Sequence, residues 1–173
     1  GENLPRTKQD EAKGGSAGEV RNGYDRHRAG GGPEEVNRGR EDPLEKGPVG
    51  HFDADVLVHA VMDALLGAAA LGDIGGHFPD SDPRYEGADS LALLREVCRI
   101  LREAGFEPGN VDATIVAQAP KLAPHIPAMR RNIAAAMGLD TSCVSVKATT
   151  EERLGFTGEG LGIAAQAAAL IDG

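Results

Sequence analysis

From Asp53 to the end of the chain, stretches of helical spacing alternate with stretches of period two, and this alternation limits the fold more than any other feature. Asp53 reads as an N-cap for a helix with Val56, Ala60, Leu65 and Ala69 inward, running to about Leu71. The run GDIGGHFPDSDPRYEGAD then reads as a Gly/Pro/Asp loop. Ser90 reads as the cap of a second helix, with Leu91, Leu94, Val97, Cys98 and Leu101 on one face and Gly105 as its stop. A strand is expected over 111–118, a third helix over Pro124–Met137 ended by Gly138, and a strand over 143–149. The closing run GIAAQAAALI is ambiguous, because alanine favours helix while a terminal strand would complete the layer. Helices and strands in this order imply one α+β or α/β layer structure.

Two segments fall outside that pattern. Residues 1–19 are polar, hold one large aliphatic side chain and read as a disordered leader, tag remnant or linker. Residues 20–173 form the expected domain. Within it, residues 28–50 carry six Gly, three Pro and nine charged residues, which reads as a surface loop long enough to suggest a functional role.

Composition removes several classes of function. Aromatics make up 3% with no Trp, so the core must be aliphatic, and the net charge of −9 leaves no basic footprint for nucleic acid. No apolar run approaches the roughly 18 residues that span a bilayer. Cys98 and Cys143 stand far apart with no CxxC, as expected of reduced thiols in a cytoplasmic protein.

Chemistry is concentrated in a few places. Asp25 and His27 form a D-x-H pair that shares one face if the segment is a strand. His59 lies in the first helix with Asp55 and Asp63 one turn away on either side. An aspartate and two histidines suit a three-ligand zinc site with a fourth position open, and a carboxylate at i±4 suits the second ring nitrogen of His59. A polar surface strand and a partly buried histidine would explain the same residues. Asp73, Asp80 and Asp82 suit sugar hydroxyls or simply turns. The run KATTEERLGFTG ends a strand with Thr149 and Thr150, which suit phosphate, and Glu152, which suits a hard cation. GLGIAA at 160–165 matches G-x-G-x-x-A, but too little chain follows for a dinucleotide fold. His77 and His125 read as structural.

The pieces NGYDRHR (22–28), HFDADVLVHAVMDALLGAAALGDIGGHFPDSDP (51–83), GADS (87–90), NVDATIVAQAPKLAPHI (110–126) and VKATTEERLGFTG (146–158) together resemble the 2-C-methyl-D-erythritol 2,4-cyclodiphosphate synthase family. The resemblance covers residues 20–173 in order and spacing. It implies an α+β fold with helices packed on a mixed β-sheet, the sheets facing a three-fold axis in a homotrimer with active sites between subunits. It implies intramolecular phosphoryl transfer that closes 4-diphosphocytidyl-2-C-methyl-D-erythritol 2-phosphate into the cyclodiphosphate and expels CMP. Asp25, His27 and His59 match the family's zinc ligands, and Glu152 the ligand of a magnesium or manganese ion. His51 and Thr150 match catalytic groups.

The substrate-binding positions implied begin with Asp25, His27, His51 and Phe52 and continue through Asp73, Ile74, Gly75, Phe78, Pro79, Asp80, Ser81 and Asp82. On the cytidine side they are Ala117, Gln118, Ala119, Pro120, Lys121, Leu122 and Ala123, with Thr149 and Phe156; Thr150, Glu151, Glu152 and Glu159 complete the set. A small-molecule substrate and a fused or associated upstream enzyme are the implied partners, without nucleic acid or membrane. Some positions depart from the family's pattern. Phe52 stands in place of a small hydroxyl residue, Arg26 in place of an apolar one, Glu159 in place of arginine and Leu161 often in place of glutamate. Residues 28–50 keep the family's length without its apolar strand pattern. These departures motivate an alternative: a trimeric metal- or nucleotide-binding relative with little turnover.

Overall fold

The computed structural model describes residues 19–28, 50–79, 81–85, 88–119 and 121–173. The leader up to residue 18 and the segment 29–49 lie outside the described residues. So do Asp80 and Pro120, and the side chains of Asp25, Arg26, His27, His51, Phe52 and Asp53.

Among the described residues four strands form one mixed sheet: β1 (Glu19–Arg28), β2 (Glu107–Val116), β3 (Val144–Thr149) and β4 (Gly162–Asp172), in the order β1-β4-β2-β3. β4 is antiparallel to both β1 and β2, while β2 and β3 are parallel. The helices are α1 (Gly50–Ala68), α2 (Ile74–His77), α3 (Ser90–Glu103), α4 (Ile126–Met137) and α5 (Gly155–Gly158). The expected α+β class, with helices packed on a mixed sheet, is what the chain adopts. Among the described residues no helix is long and apolar enough to cross a membrane.

The ambiguous alanine-rich tail is the strand β4, because it lies between two partners and beneath a helix. Its odd positions Ile163, Ala165, Ala167, Ala169 and Ile171 are buried, while Gln166 on the other face is exposed. Two ladders of hydrogen bonds and a covered face outweigh alanine's helical preference. The small side chains also let α1 lie close. Gly23, paired with Ala167, faces α1 so tightly that a Cβ would stand 2.0 Å from the Ala60 carbonyl oxygen and 2.7 Å from the Ala64 nitrogen. Only glycine tolerates that approach.

α1 is the centre of the core. Val56, Leu57, Val58, Ala60, Val61, Met62, Ala64, Leu65 and Leu66 are all buried, since β1 and β4 cover one side and α3 another. At roughly 25 cal/mol per Å², burial of such side chains is the main stabilising term of the domain.

Several boundaries differ from the sequence expectation. α1 begins at Gly50, so Asp53 lies inside its first turn rather than at its cap; an acidic residue suits the helix dipole in either place. It ends at Ala68 rather than Leu71, closed by left-handed Ala70 (φ +56°) and a 2.9 Å bond from the Leu71 N–H to the Leu66 carbonyl. The loop after it contains α2 and a 3₁₀ turn at Pro83–Tyr85.

The N-cap of α3 is Asp89, which accepts the Leu91 N–H at 3.3 Å. Ser90, expected there, is buried and donates its hydroxyl to Asp55 Oδ1 at 2.8 Å. β2 runs over 107–116 rather than 111–118, because its start follows β4 through a register shift at Pro108/Asn110. The third helix opens with a 3₁₀ turn at Ala123–His125, so α4 proper starts at Ile126, and left-handed Gly138 (φ +72°) ends it as expected.

Candidate active site

The candidate residues gather in two groups. The first is built on α1 and β1. His59 is half-buried on α1, next to the Ala60 carbonyl that Gly23 of β1 touches. Asp25 and His27 follow Gly23 at period two on β1, pairing with Ala165 and Ile163 of β4. That close approach brings the D-x-H backbone alongside the helix that carries His59. Asp55 Oδ1, one turn before His59, accepts the Ser90 hydroxyl; Asp63 Oδ1, one turn after, accepts the Ile74 N–H at 2.9 Å. The second bond seats α2 against α1.

The loop beyond α1 is ordered by its own polar residues. Asp73 caps α2, its Oδ1 accepting the Gly76 N–H at 2.8 Å. Its neighbours Ile74 and Gly75 open that helix. His77 donates from Nε2 to the Leu71 carbonyl at 2.8 Å, which is a structural role as expected. Phe78 is buried edge-on against Tyr85, ring centroids 5.1 Å apart. After Pro79 and Ser81, Asp82 receives the Arg84 guanidinium at 2.6 Å, and this bond holds its carboxyl below the usual carboxylate range.

The second group stands where β2 and β3 end. These two strands are parallel and joined through α4, so their carboxyl ends open side by side, a place where ligands commonly bind in such units. The Ala117 N–H donates to the Thr149 carbonyl at 3.0 Å, and Gln118 Oε1 accepts the Arg153 N–H at 3.3 Å. The connection through Ala119, Lys121, Leu122 and Ala123 leads from there to α4, with Leu122 buried as its anchor. Thr150 Oγ1 lies 3.4 Å from Glu152 Oε1. Both are exposed hard oxygens, a donor set suited to magnesium or manganese. Glu152 (φ +52°) and Arg153 (φ +67°) are left-handed, an unusual pair for non-glycine residues. Beyond them Leu154, Phe156 and Leu161 are exposed apolar side chains, with Glu159 exposed between them.

The strands that carry the two groups, β1 and β3, do not adjoin in the described sheet. One register row runs Arg26, Ala164, Val116, Thr149 across the sheet. Among the described residues β1 and β3 are thus opposite edges, three strand spacings or about 14 Å apart. Among the described residues no three His, Cys, Asp or Glu gather as a metal site. A zinc set on His59 therefore needs donors beyond the described side chains, and two of the three implied ligands, Asp25 and His27, are such residues. A cavity of about 220 Å³ opens elsewhere, between α1, α3 and α4, with Asp55, Asp89, His125 and Asn132 among its lining. It holds none of the residues singled out by the resemblance, so the candidate site is not this cavity.

Comparison with known proteins decides the family. Residues 19–172 match the YgbB family. The chain is 60% identical over 152 residues to the 2-C-methyl-D-erythritol 2,4-cyclodiphosphate synthase of Pseudomonas aeruginosa, covering 88% of this chain and 97% of that one. The chain belongs to this synthase family. Among solved structures, the bifunctional IspDF of Campylobacter jejuni superposes with a TM-score of 0.74 at 37% identity, covering 91% of this chain and 42% of that longer one. IspF of Plasmodium falciparum in complex with CDP superposes with a TM-score of 0.67 at 26% identity, over 91% and 97% of the two chains. The family assignment from the sequence pieces therefore holds. No residue spacing encodes the strand order or Gly23's seat on α1 directly. A glycine two residues before the D-x-H pair was the available signal for the second.

Proposed function

We propose that this synthase-family chain converts 4-diphosphocytidyl-2-C-methyl-D-erythritol 2-phosphate into 2-C-methyl-D-erythritol 2,4-cyclodiphosphate and CMP, in sites formed between neighbouring subunits of a cytoplasmic homotrimer. The observation that carries this reading is the separation of the two groups on opposite edges of the sheet. Both are implied to act on adjacent phosphates of one molecule, while the strands that carry them lie about 14 Å apart in the described sheet. A neighbour's β3 end set against the β1 edge would bring the two groups together, and a head-to-tail contact whose rotation closes gives a ring. The exposed Leu154, Phe156 and Leu161 beside the second group are apolar surface that a neighbouring chain would cover.

The substrate contains both the attacking and the leaving oxygen, so no protein nucleophile is needed. The chain's task is to fold the 2-phosphate onto the β-phosphate and exclude water. Asp73, Ile74, Gly75 and the segment Phe78–Asp82 hold the sugar end. Ala117–Ala123, with Thr149 and Phe156, holds the cytidine end. His51, Phe52 and Thr150 stand by the phosphates, Thr150 donating its hydroxyl to oxygens that gain charge. When bound, zinc at Asp25, His27 and His59 supplies Lewis-acid polarisation of the attacked phosphate, and magnesium or manganese at Glu152 offsets charge on departing CMP.

The alternative of a relative with little turnover is not favoured, since relatives 55–60% identical to this chain carry the synthase name. A fused or associated upstream enzyme belongs to the proposal, supported by the bifunctional Campylobacter jejuni structure.

The test is CMP release by wild-type chain, by His59→Ala, by Glu152→Gln, and by the two variants unfolded and refolded together. Each variant alone should be nearly inactive. The mixture should recover about one quarter of the wild-type rate, because random assembly gives one site in four with both halves intact. No recovery in a folded, mixed oligomer would refute sites shared between chains. No CMP from wild type with zinc and magnesium would refute the activity.

A further inference from the structure

We propose that Glu151 and Thr157 are positioning residues that clamp the left-handed turn 152–155 and thereby hold the Glu152 carboxylate in place for a divalent ion. The inference rests on the reading of Glu152 as that ion's ligand.

Three of the four residues 152–155 have positive φ: Glu152 at +52°, Arg153 at +67° and Gly155 at +67°. Glycine adopts this conformation freely, but glutamate and arginine do so only when neighbouring contacts hold them. The contacts are specific. The hydroxyl of Thr157, 1% exposed, donates to Glu151 Oε2 across the turn. The same carboxylate oxygen lies over Gly155, where a Cβ would stand 3.5 Å from it. The Leu154 N–H closes onto the Glu151 carbonyl at 2.8 Å. From outside, Gln118 Oε1 accepts the Arg153 N–H at 3.3 Å, and the Gly158 backbone packs so near that a Cβ would stand 2.5 Å from the Arg153 carbonyl carbon.

The bond between Glu151 and Thr157 joins one residue before the turn to one after it, and it is the side-chain bond among these contacts that spans the whole left-handed stretch. A buried hydroxyl must find an acceptor, and a carboxylate acceptor gives a stronger bond than a neutral one. With the clamp closed, Glu152 Oε1 is held 3.4 Å from Thr150 Oγ1. With it open, residues 152 and 153 relax toward the right-handed region and the carboxylate swings away from Thr150. Glu151 and Thr157 thus act through Glu152 rather than on the phosphates.

The experiment measures Mn²⁺ affinity by electron paramagnetic resonance in the presence of CDP, alongside trypsin cleavage at the Arg153–Leu154 bond. It uses the full zinc-loaded chain. Glu151→Ala, on an exposed side chain, should fold normally, weaken Mn²⁺ about tenfold, as loss of one charge-assisted hydrogen bond implies, and speed cleavage several-fold. Thr157→Val should do the same, while Thr157→Ser, which keeps the hydroxyl donor, should stay near wild type. Glu152→Gln is the reference and should lose Mn²⁺ with little change in cleavage. Wild-type Mn²⁺ affinity in Glu151→Ala, with Glu152→Gln impaired, would overturn the positioning role. Wild-type Mn²⁺ affinity in Glu152→Gln would overturn the ligand reading itself, and the role assigned to the clamp with it.

Discussion

Replacing Gly23 with alanine tests whether β1 and α1 are held at the separation that the first half-site requires. The added Cβ would lie 2.0 Å from the Ala60 carbonyl oxygen and 2.7 Å from the Ala64 nitrogen, both backbone atoms of a buried helix. A real Cβ contact is at least 3.0 Å, so strand and helix must part by about 1 Å at this point. No flexible side chain can yield instead. Overpacking of this kind costs about 1–3 kcal/mol, and the upper end applies because both obstacles are backbone. For a chain of this length that corresponds to a melting temperature lower by roughly 6–12 °C. Asp25 and His27 ride on the same strand, so a variant that still folds should also hold less zinc per chain, measured by elemental analysis after gel filtration. A Gly23→Ala protein with wild-type melting temperature and zinc content would refute the close-approach argument. A drop in stability with zinc unchanged would separate the packing from the site.

The remaining predictions concern titrating groups. Cys98 is fully buried and its thiol is pushed up to about 11, so at pH 8 a thiol reagent should label half-buried Cys143 in the native protein and reach Cys98 only on unfolding. Equal native labelling of both would contradict the packing of α3 against α1. Asp112 is held below its usual carboxylate range by Lys147, 2.6 Å away across β2 and β3. The stabilisation is therefore present above the unfolded value near pH 4 and is lost as pH falls through the folded one. Because both side chains are about half exposed, Asp112→Asn should cost under about 1 kcal/mol at pH 7 and less at about pH 3 in urea titrations. An equal loss at both pH values would exclude the ion pair as the cause.

How much of this was legible beforehand depended on whether the information was local. The helical face of α3 and the left-handed stop at Gly138 are set by side chains within a few residues, and they appeared as read. Asp89 and Ser90 are neighbours that both suit a cap; only the tertiary bond from Ser90 to Asp55 distinguishes them. β4 could not be assigned from its alanines, because what makes it a strand is β1, β2 and α1 around it. The same holds for the site. Thr149, Thr150 and Glu152 cluster in sequence and in space, whereas the distance from His59 to them follows from strand order, which no spacing encodes.

The strand order also bears on how such a chain behaves on dilution. On the proposed reading a monomer, with β1 and β3 on opposite edges of the described sheet, completes no site. On the proposed reading the rate then follows the law of mass action for assembly. Far below the assembly threshold it falls with the third power of chain concentration, so the cell's expression level sets whether each molecule works at all, as well as how many there are.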